Sequence, residues 1–466
     1  MEILKLAVLA LGAIAYFAQV SVGTQQAVVE LVPGQDIQAS INSLPAGTVF
    51  LLKAGLHRLS SPLTPRDDDT FVGELGTVVS GARVLTTLGR SGALWYADGQ
   101  TQQGQVAGQC EAGYPRCSYP EDLFIDDKLL QAVGTFADVA PGKWYFDYAA
   151  DRIYFADDPI GRRVETSVVR SAFSGGARNV TIGTMTIEKF ATPAQVGAIH
   201  GDATTSWIVQ DNEIRWNHAV GVRSGPGMQL LRNNVHHNGQ EGMGGLGDNV
   251  VVEANEIAYN NTCHFNPGWE AGGTKFVKTQ YLIVRGNYAH HNAGPGLWTD
   301  IDNIYTTIED NTVEYNAQMG IFHEISYDAV IRHNTARQNG WSSDTWLWGA
   351  GILVAASVNV EISGNMVSDN ANGIGAVQQN RGSGAYGPHE ISNLWVHDNT
   401  VTMTSGRTGL AEDVDDRTYF TSRNNHFVGN TYYLGTSTYP FEWMDSQIGE
   451  TRWRQYGEDV NGIFNR

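Results

Sequence analysis

The sequence predicts an all-β fold, a right-handed parallel β-helix (a solenoid) with an inserted β-hairpin subdomain. From about residue 179 one short pattern recurs: an apolar-alternating strand, an asparagine, a second short strand, another asparagine, then a glycine and a third strand. The first asparagine of each repeat falls at 212, 234, 255, 287, 311, 334, 365 and 399, with 21 or 22 residues in the shortest steps and inserted loops in the longer ones. Helical periodicity is nearly absent, and the repeat lacks paired hairpin signals, which excludes a sandwich or propeller. A single coil cannot bury its apolar face alone, so coils stack and share one core. Asparagine at a fixed coil position can ladder its amide with the coils above and below, and it tolerates left-handed corner backbone.

Composition narrows the function. The 466 residues carry 49 acidic against 30 basic side chains, a net charge of −19. That excludes an extended nucleic-acid surface, which needs a basic footprint. It also disfavours a polyanionic substrate unless a cation mediates. With 12 Trp and 19 Tyr the chain is not disordered. Beyond the first twenty residues no apolar run could span a bilayer, so no membrane partner is expected, and the protein is expected to be a monomer.

The elements follow in chain order. Residues 1–23 read as a secretory signal peptide: Lys5 supplies the positive start, Leu6 to Ala18 the apolar stretch, and Ser21 and Gly23 the small residues before cleavage. The mature chain is therefore expected to be secreted and extracellular. Residues 28–94 read as an N-terminal cap and first coils, with a short amphipathic helix over Asp36 to Ser43 closing the apolar end. Residues 95–166 break the repeat and read as the inserted β subdomain. It holds Cys110 and Cys117, expected to form a disulfide in an oxidising compartment. Cys263 is left as a thiol. There is no CxxC spacing, which argues against a cysteine zinc site, and no metal or cofactor is expected. Residues 167–440 carry the main coils and the active face, and 441–466 a C-terminal tail or cap. Asn179-Val180-Thr181 and Asn260-Asn261-Thr262 are N-glycosylation sequons.

The chemistry is sought by aligning coils on the glycine that opens the third strand. Gly296-Leu297-Trp298-Thr299-Asp300-Ile301-Asp302 then lies over Gly320-Ile321-Phe322-His323-Glu324-Ile325-Ser326. Strand alternation turns Leu297, Ile301, Ile321 and Ile325 inward, and Trp298, Asp300, Asp302, Phe322 and Glu324 outward. Asp300 and Glu324 share one column, and a strand spacing of ~4.8 Å puts their carboxyl groups roughly 5 Å apart. That separation suits a retaining glycosidase, with one carboxylate as nucleophile and the other as acid/base. Their repulsion raises one pKa, as a general acid requires. Lys275 faces outward near Asp300, with Glu270 one coil earlier. Trp269, Trp298, Trp341, Trp346 and Trp348 are candidate platforms for sugar rings, and His264 and His323 candidate substrate contacts, although His323 shares the inward parity of Ile321. The doublets His236-His237 and His290-His291 fall beside corner asparagines and read as structural.

Two other readings compete with the hydrolase. In a Ca²⁺-dependent polysaccharide lyase or uronate epimerase, Asp300, Asp302 and Glu324 would bind the cation while Lys275 or Arg285 removes the proton. In a non-catalytic surface protein, the solenoid would be a carbohydrate-binding scaffold.

The block GLWTDIDNIYTTIEDNTVEYNAQMGIFHEISYDAVIRHNT resembles the active-site coils of the β-helix retaining β-xylosidases: a glycine-opened strand ending in Asp, an asparagine-rich coil, then a strand with Phe-x-Glu. Across the solenoid the chain resembles carbohydrate-active proteins of the pectate-lyase-like superfamily in general style, and GKWYFDYAADRIYF resembles a segment of exported β-helix glycosidases. The resemblance implies Asp300 as nucleophile and Glu324 as acid/base. Ile301-Asp302 and Ile325-Ser326-Tyr327 depart from the family pattern, so sugar preference does not carry over. The expected substrate is a polysaccharide or oligosaccharide. Insertions near 260–273, 341–349 and 379–391 are long enough to wall off the groove and favour exo action.

Overall fold

A computed structural model describes residues 28–342 and 346–465; the expected signal peptide lies outside them. The coils build three sheets. The first has 13 strands, from Val28–Leu31 to His426–Val428; the second has 13, from Gly55–Arg58 to Ile463–Asn465; the third has 11, from Gly197–His200 to Ser446–Ile448. Their pairings are parallel except the last of the third sheet. Apolar residues of each strand enter the interior and stack on their counterparts in the next coil. In the first sheet Val209, Leu230, Val252, Val284, Ile308 and Ile331 form such a column. Each fully buried side chain of this size contributes about 1.5–3 kcal/mol.

Two asparagine ladders hold the corners on either side of the second sheet. The first runs through Asn212, Asn233, Asn255, Asn287, Asn311, Asn334, Asn365, Asn399 and Asn430. The rung is therefore Asn233, not Asn234, which is exposed and opens the following strand. The second ladder runs through Asn217, Asn238, Asn260, Asn292, Asn316, Asn339 and Asn370. The left-handed corner residue is the one before each rung, such as Asp211, Arg232, Ala254 and Asp310, not the asparagine itself. The asparagine amide satisfies the backbone groups that the corner exposes. Asn260 thus spends its side-chain nitrogen on Val235 O and Asn292 Oδ1, which rules out glycosylation there in the folded state. Asn179 is exposed. The residues before the second ladder include His237, Tyr259, His291 and Tyr315, whose rings stack in one column at about 5 Å spacing.

Both ends are closed. Asp36 caps the helix Ile37–Ser43 by accepting from Ala39 N, and Ile37 and Ile41 bury against the first coil. At the far end the helix Glu450–Gln455 lays Trp453 on Phe441. Asp459 terminates the first ladder, accepting from Asn430, Tyr432 Oη and Trp453 Nε1. Coils continue to Ile463–Asn465, past the point where the repeat fades in the sequence.

The insertion forms one four-stranded and one five-stranded sheet, which also use Ala82–Val84 and Gly89–Ser91. Leu123, Trp144, Ile153 and Phe155 give it a core of its own. Lys189 bonds Glu165 at 2.6 Å and fastens it to the solenoid. Cys110 and Cys117 are joined by a disulfide, and Cys110 pairs through a β-bridge with Phe265 of the 260–273 insertion. Among the described residues no helix is long and apolar enough to cross a membrane.

Candidate active site

The third sheet presents its outer face to three insertions, and the charged residues concentrate there. The strands Leu297–Asp300 and Ile321–Glu324 pair in the register Leu297↔Ile321, Trp298↔Phe322, Thr299↔His323 and Asp300↔Glu324. Asp300 and Glu324 are therefore direct neighbours at the ends of adjacent strands. A third corner ladder fixes those ends. Asn303 donates to Asp300 O and Phe276 O, and Ser326 donates to Glu324 O. Ser326 Oγ in turn accepts from Asn303, and Ser357 Oγ from Ser326 N. Ile301, Asp302 and Ile325 adopt left-handed backbone, so alternation stops at the carboxylates. Ile301 and Ile325 accordingly stay out of the main core, contrary to the parity expectation.

Asp300, Glu324 and Lys275 are only 5, 6 and 6% exposed. The expectation that Asp300 faces solvent freely is thus corrected: the site is narrow, because loops cover it. Lys275 Nζ lies 2.9 Å from Asp300 Oδ2, donates to Trp269 O and sits 4.0 Å over the Trp298 ring. This holds a carboxylate and an ammonium together out of water, which costs less than burying either alone. Among the described residues Asp300 Oδ1 has no hydrogen-bond partner and keeps an uncommitted lone pair. Glu324 pairs with Arg381 of the 379–391 insertion. Burial, and then the Asp300 charge, push its carboxyl up, against the pull of Arg381 and Lys275.

Arg381 is a site residue that the sequence did not single out, since one arginine in a loop carries no periodic signal. If Glu324 works as an acid, activity falls as pH rises through its pKa. Removing Arg381 removes a cation that lowers that pKa. Arg381→Met is therefore expected to move the descending limb of the kcat/KM pH profile to higher pH; an unmoved limb would separate Arg381 from Glu324.

Glu241 was also missed. It is fully buried, both its oxygens lack hydrogen-bond partners among the described residues, and Glu270, Lys275 and Arg223 are its charged neighbours. A lone glutamate inside a coil strand carries no periodic signal, and only the strand neighbours on either side bring Glu270 and Lys275 to it. Burial and then the Glu270 charge raise its carboxyl well above the usual 4.5. Above pH 4.5 the folded state keeps a proton that the unfolded chain has released, so stability falls as pH rises through the folded pKa. Glu241→Gln is expected to match the wild-type Tm below that pH and exceed it increasingly above it, in thermal melts across pH 4–9; parallel melting curves would show that Glu241 is not held neutral.

The other sequence-predicted residues separate. Glu270 stays close, 4.0 Å from Lys275 and bonded to Gln195. Trp298 is 3% exposed, stacked on Phe322 beneath Lys275, so it is no open sugar platform. Trp346 and Trp348 are half-buried on the same outer apolar cluster, Trp348 meeting Phe322 edge-on. Trp269 is half-buried against Phe265 and the disulfide loop, while Trp341 is exposed. His264 stacks on Tyr114 and pairs with Glu111. His323 is wholly inside the coil on Thr299, with burial lowering its pKa to about 3, so it cannot touch substrate. Asp302 turns to His389 and Ala385 N of the 379–391 insertion. Among the described residues Asp300, Asp302 and Glu324 do not converge as metal ligands; the one set of three that does is Asp122, His218 and Cys263. Arg285 lies on the first sheet paired with Glu253, remote from this face.

A family described as right handed beta helix region matches residues 197–366 and 305–387. The fold is a right-handed parallel β-helix. Among solved β-helix structures, the chain is similar to XylC in complex with xylose, at 13% identity and a TM-score of 0.69, covering 94% of this chain and 86% of that one. It is also similar to the A-module of the mannuronan C-5 epimerase AlgE6 from Azotobacter vinelandii, at 17% identity and a TM-score of 0.50, covering 92% and 94%. No curated protein matches this β-helix chain.

Proposed function

We propose that this β-helix is a carbohydrate-active enzyme, a retaining glycoside hydrolase that works from the end of an oligosaccharide or polysaccharide. The observation that carries the reading is the direct register of Asp300 and Glu324, each with its own cation. Lys275 pairs with Asp300 and holds it in place, and Asp300 attacks the anomeric carbon. Glu324, whose pKa is raised by burial and by the Asp300 charge, gives its proton to the leaving oxygen. The glycosyl-enzyme is then hydrolysed by water that Glu324, now a carboxylate, deprotonates. The similar structure solved with xylose supports a sugar as ligand. The three insertions around the carboxylates support a pocket that admits a chain end. The expected leader supports action outside the cell.

A uronate epimerase is the second reading, favoured by the likeness to the AlgE6 module. Proton NMR of the mature protein with neutral and uronate-containing glycans distinguishes them. New anomeric signals that first appear in the configuration of the cleaved bond support the hydrolase. Vinyl protons, or a changed uronate configuration without cleavage, would overturn it.

A further inference from the structure

Away from the carboxylate pair, three side chains from distant segments bring one donor atom each into one cluster, Asp122 and His218 buried and Cys263 half-buried. Asp122 belongs to the inserted subdomain, His218 to a coil and Cys263 to the 260–273 insertion. His218 Nδ1 lies 3.1 Å from Asp122 Oδ1, and Cys263 Sγ lies 3.7 Å from His218 Nδ1 and 3.9 Å from Asp122 Oδ1. Tetrahedral coordination with bonds of about 2.0–2.3 Å places such donors roughly 3.3–3.6 Å apart, so small shifts suffice to close the set on an ion.

The surroundings are those of a ligand set. The other ring nitrogen of His218, Nε2, is 2.8 Å from Cys117 O, which can only accept. Nε2 therefore donates and Nδ1 points at the cluster, the arrangement in which a backbone carbonyl orients a metal-bound imidazole. Among the described residues no lysine or arginine pairs with Asp122, which is 4% exposed. Its main chain is pinned, since Asp122 O accepts from Thr166 Oγ1 and Ser167 N.

We propose that Asp122, His218 and Cys263 bind one Zn²⁺ ion that clamps the inserted subdomain and the 260–273 insertion onto the solenoid. A thiolate with an imidazole selects a borderline-soft cation over Ca²⁺ or Mg²⁺. Cys263 binds as thiolate and releases its proton to solvent, and a water completes the fourth position. The clamp acts at a distance on the carboxylate site, because the same insertion carries Trp269 and Glu270, which contact Lys275. The spacing hides this set from a sequence reading: 96 residues separate Asp122 from His218, and 45 separate His218 from Cys263.

The test uses the mature protein, stripped with chelator and dialysed. Titration with Zn²⁺ is expected to give one equivalent bound and a Tm that rises with the logarithm of free Zn²⁺. Co²⁺ in its place is expected to show a thiolate-to-metal charge-transfer band, which needs no variant. Cys263→Ser is expected to lose that band and the stoichiometric Zn²⁺. A folded wild-type protein that binds no Zn²⁺ at micromolar concentration would overturn the proposal, leaving a buried His–Asp pair beside a thiol. So would a Cys263→Ser protein that binds Zn²⁺ unchanged.

Discussion

Asp300→Asn is expected to lower kcat on the order of 10⁴-fold or more while the protein stays folded. The amide keeps the shape of the carboxylate but cannot attack an anomeric carbon. Asparagine is preferred to alanine because Asp300 is buried beside Lys275. Deleting the whole side chain would also leave a cavity and remove the oxygen that Lys275 bonds, leaving its ammonium to Trp269 O and Glu270. Glu324→Gln is expected to lose roughly 10²–10⁴-fold, least on substrates whose leaving group needs no proton. Steady-state kinetics beside far-UV circular dichroism and Tm measure both. Full activity in folded Asp300→Asn protein would remove the nucleophile assignment. An Asn variant that is inactive only because it unfolds would show in the Tm.

Asn311→Ala is expected to destabilise the fold by about 3 kcal/mol or more. Asn311 donates to Val284 O and Asn334 Oδ1 and accepts from Asn287 N and Asn287 Nδ2. Truncation orphans several buried groups at once, each costing about 1–3 kcal/mol, although relaxation prevents simple addition. Asn234→Ala is the control: the side chain is exposed, so the change should stay within about 0.5 kcal/mol. Urea unfolding measures both. Equal midpoints would show that the ladder does not carry the corners.

The contrast between Asn233 and Asn234 marks where sequence reading stops. Adjacent asparagines satisfy the same pattern, and only the corner's backbone decides which amide turns inward. The repeat, the stacking and the column holding Asp300 and Glu324 were legible because strand alternation and coil period are local properties of the chain. The same rule failed at Ile301 and Ile325, where left-handed backbone interrupts alternation.

The amino-acid sequence by itself determined the solenoid, its capping helix and the pair of acids on one face, since each follows from a spacing of a few residues or one coil. Tertiary structure alone decided how far that face is covered and that Arg381 meets Glu324. Arg381 gains its role from an insertion folding back over the third sheet, and Trp298 loses its openness between Lys275 and Phe322. Asp122, His218 and Cys263 meet only because the inserted subdomain docks on the coils. Burial and charge proximity set the pKa values and access of these groups, and both arise between segments that the sequence keeps tens to more than a hundred residues apart.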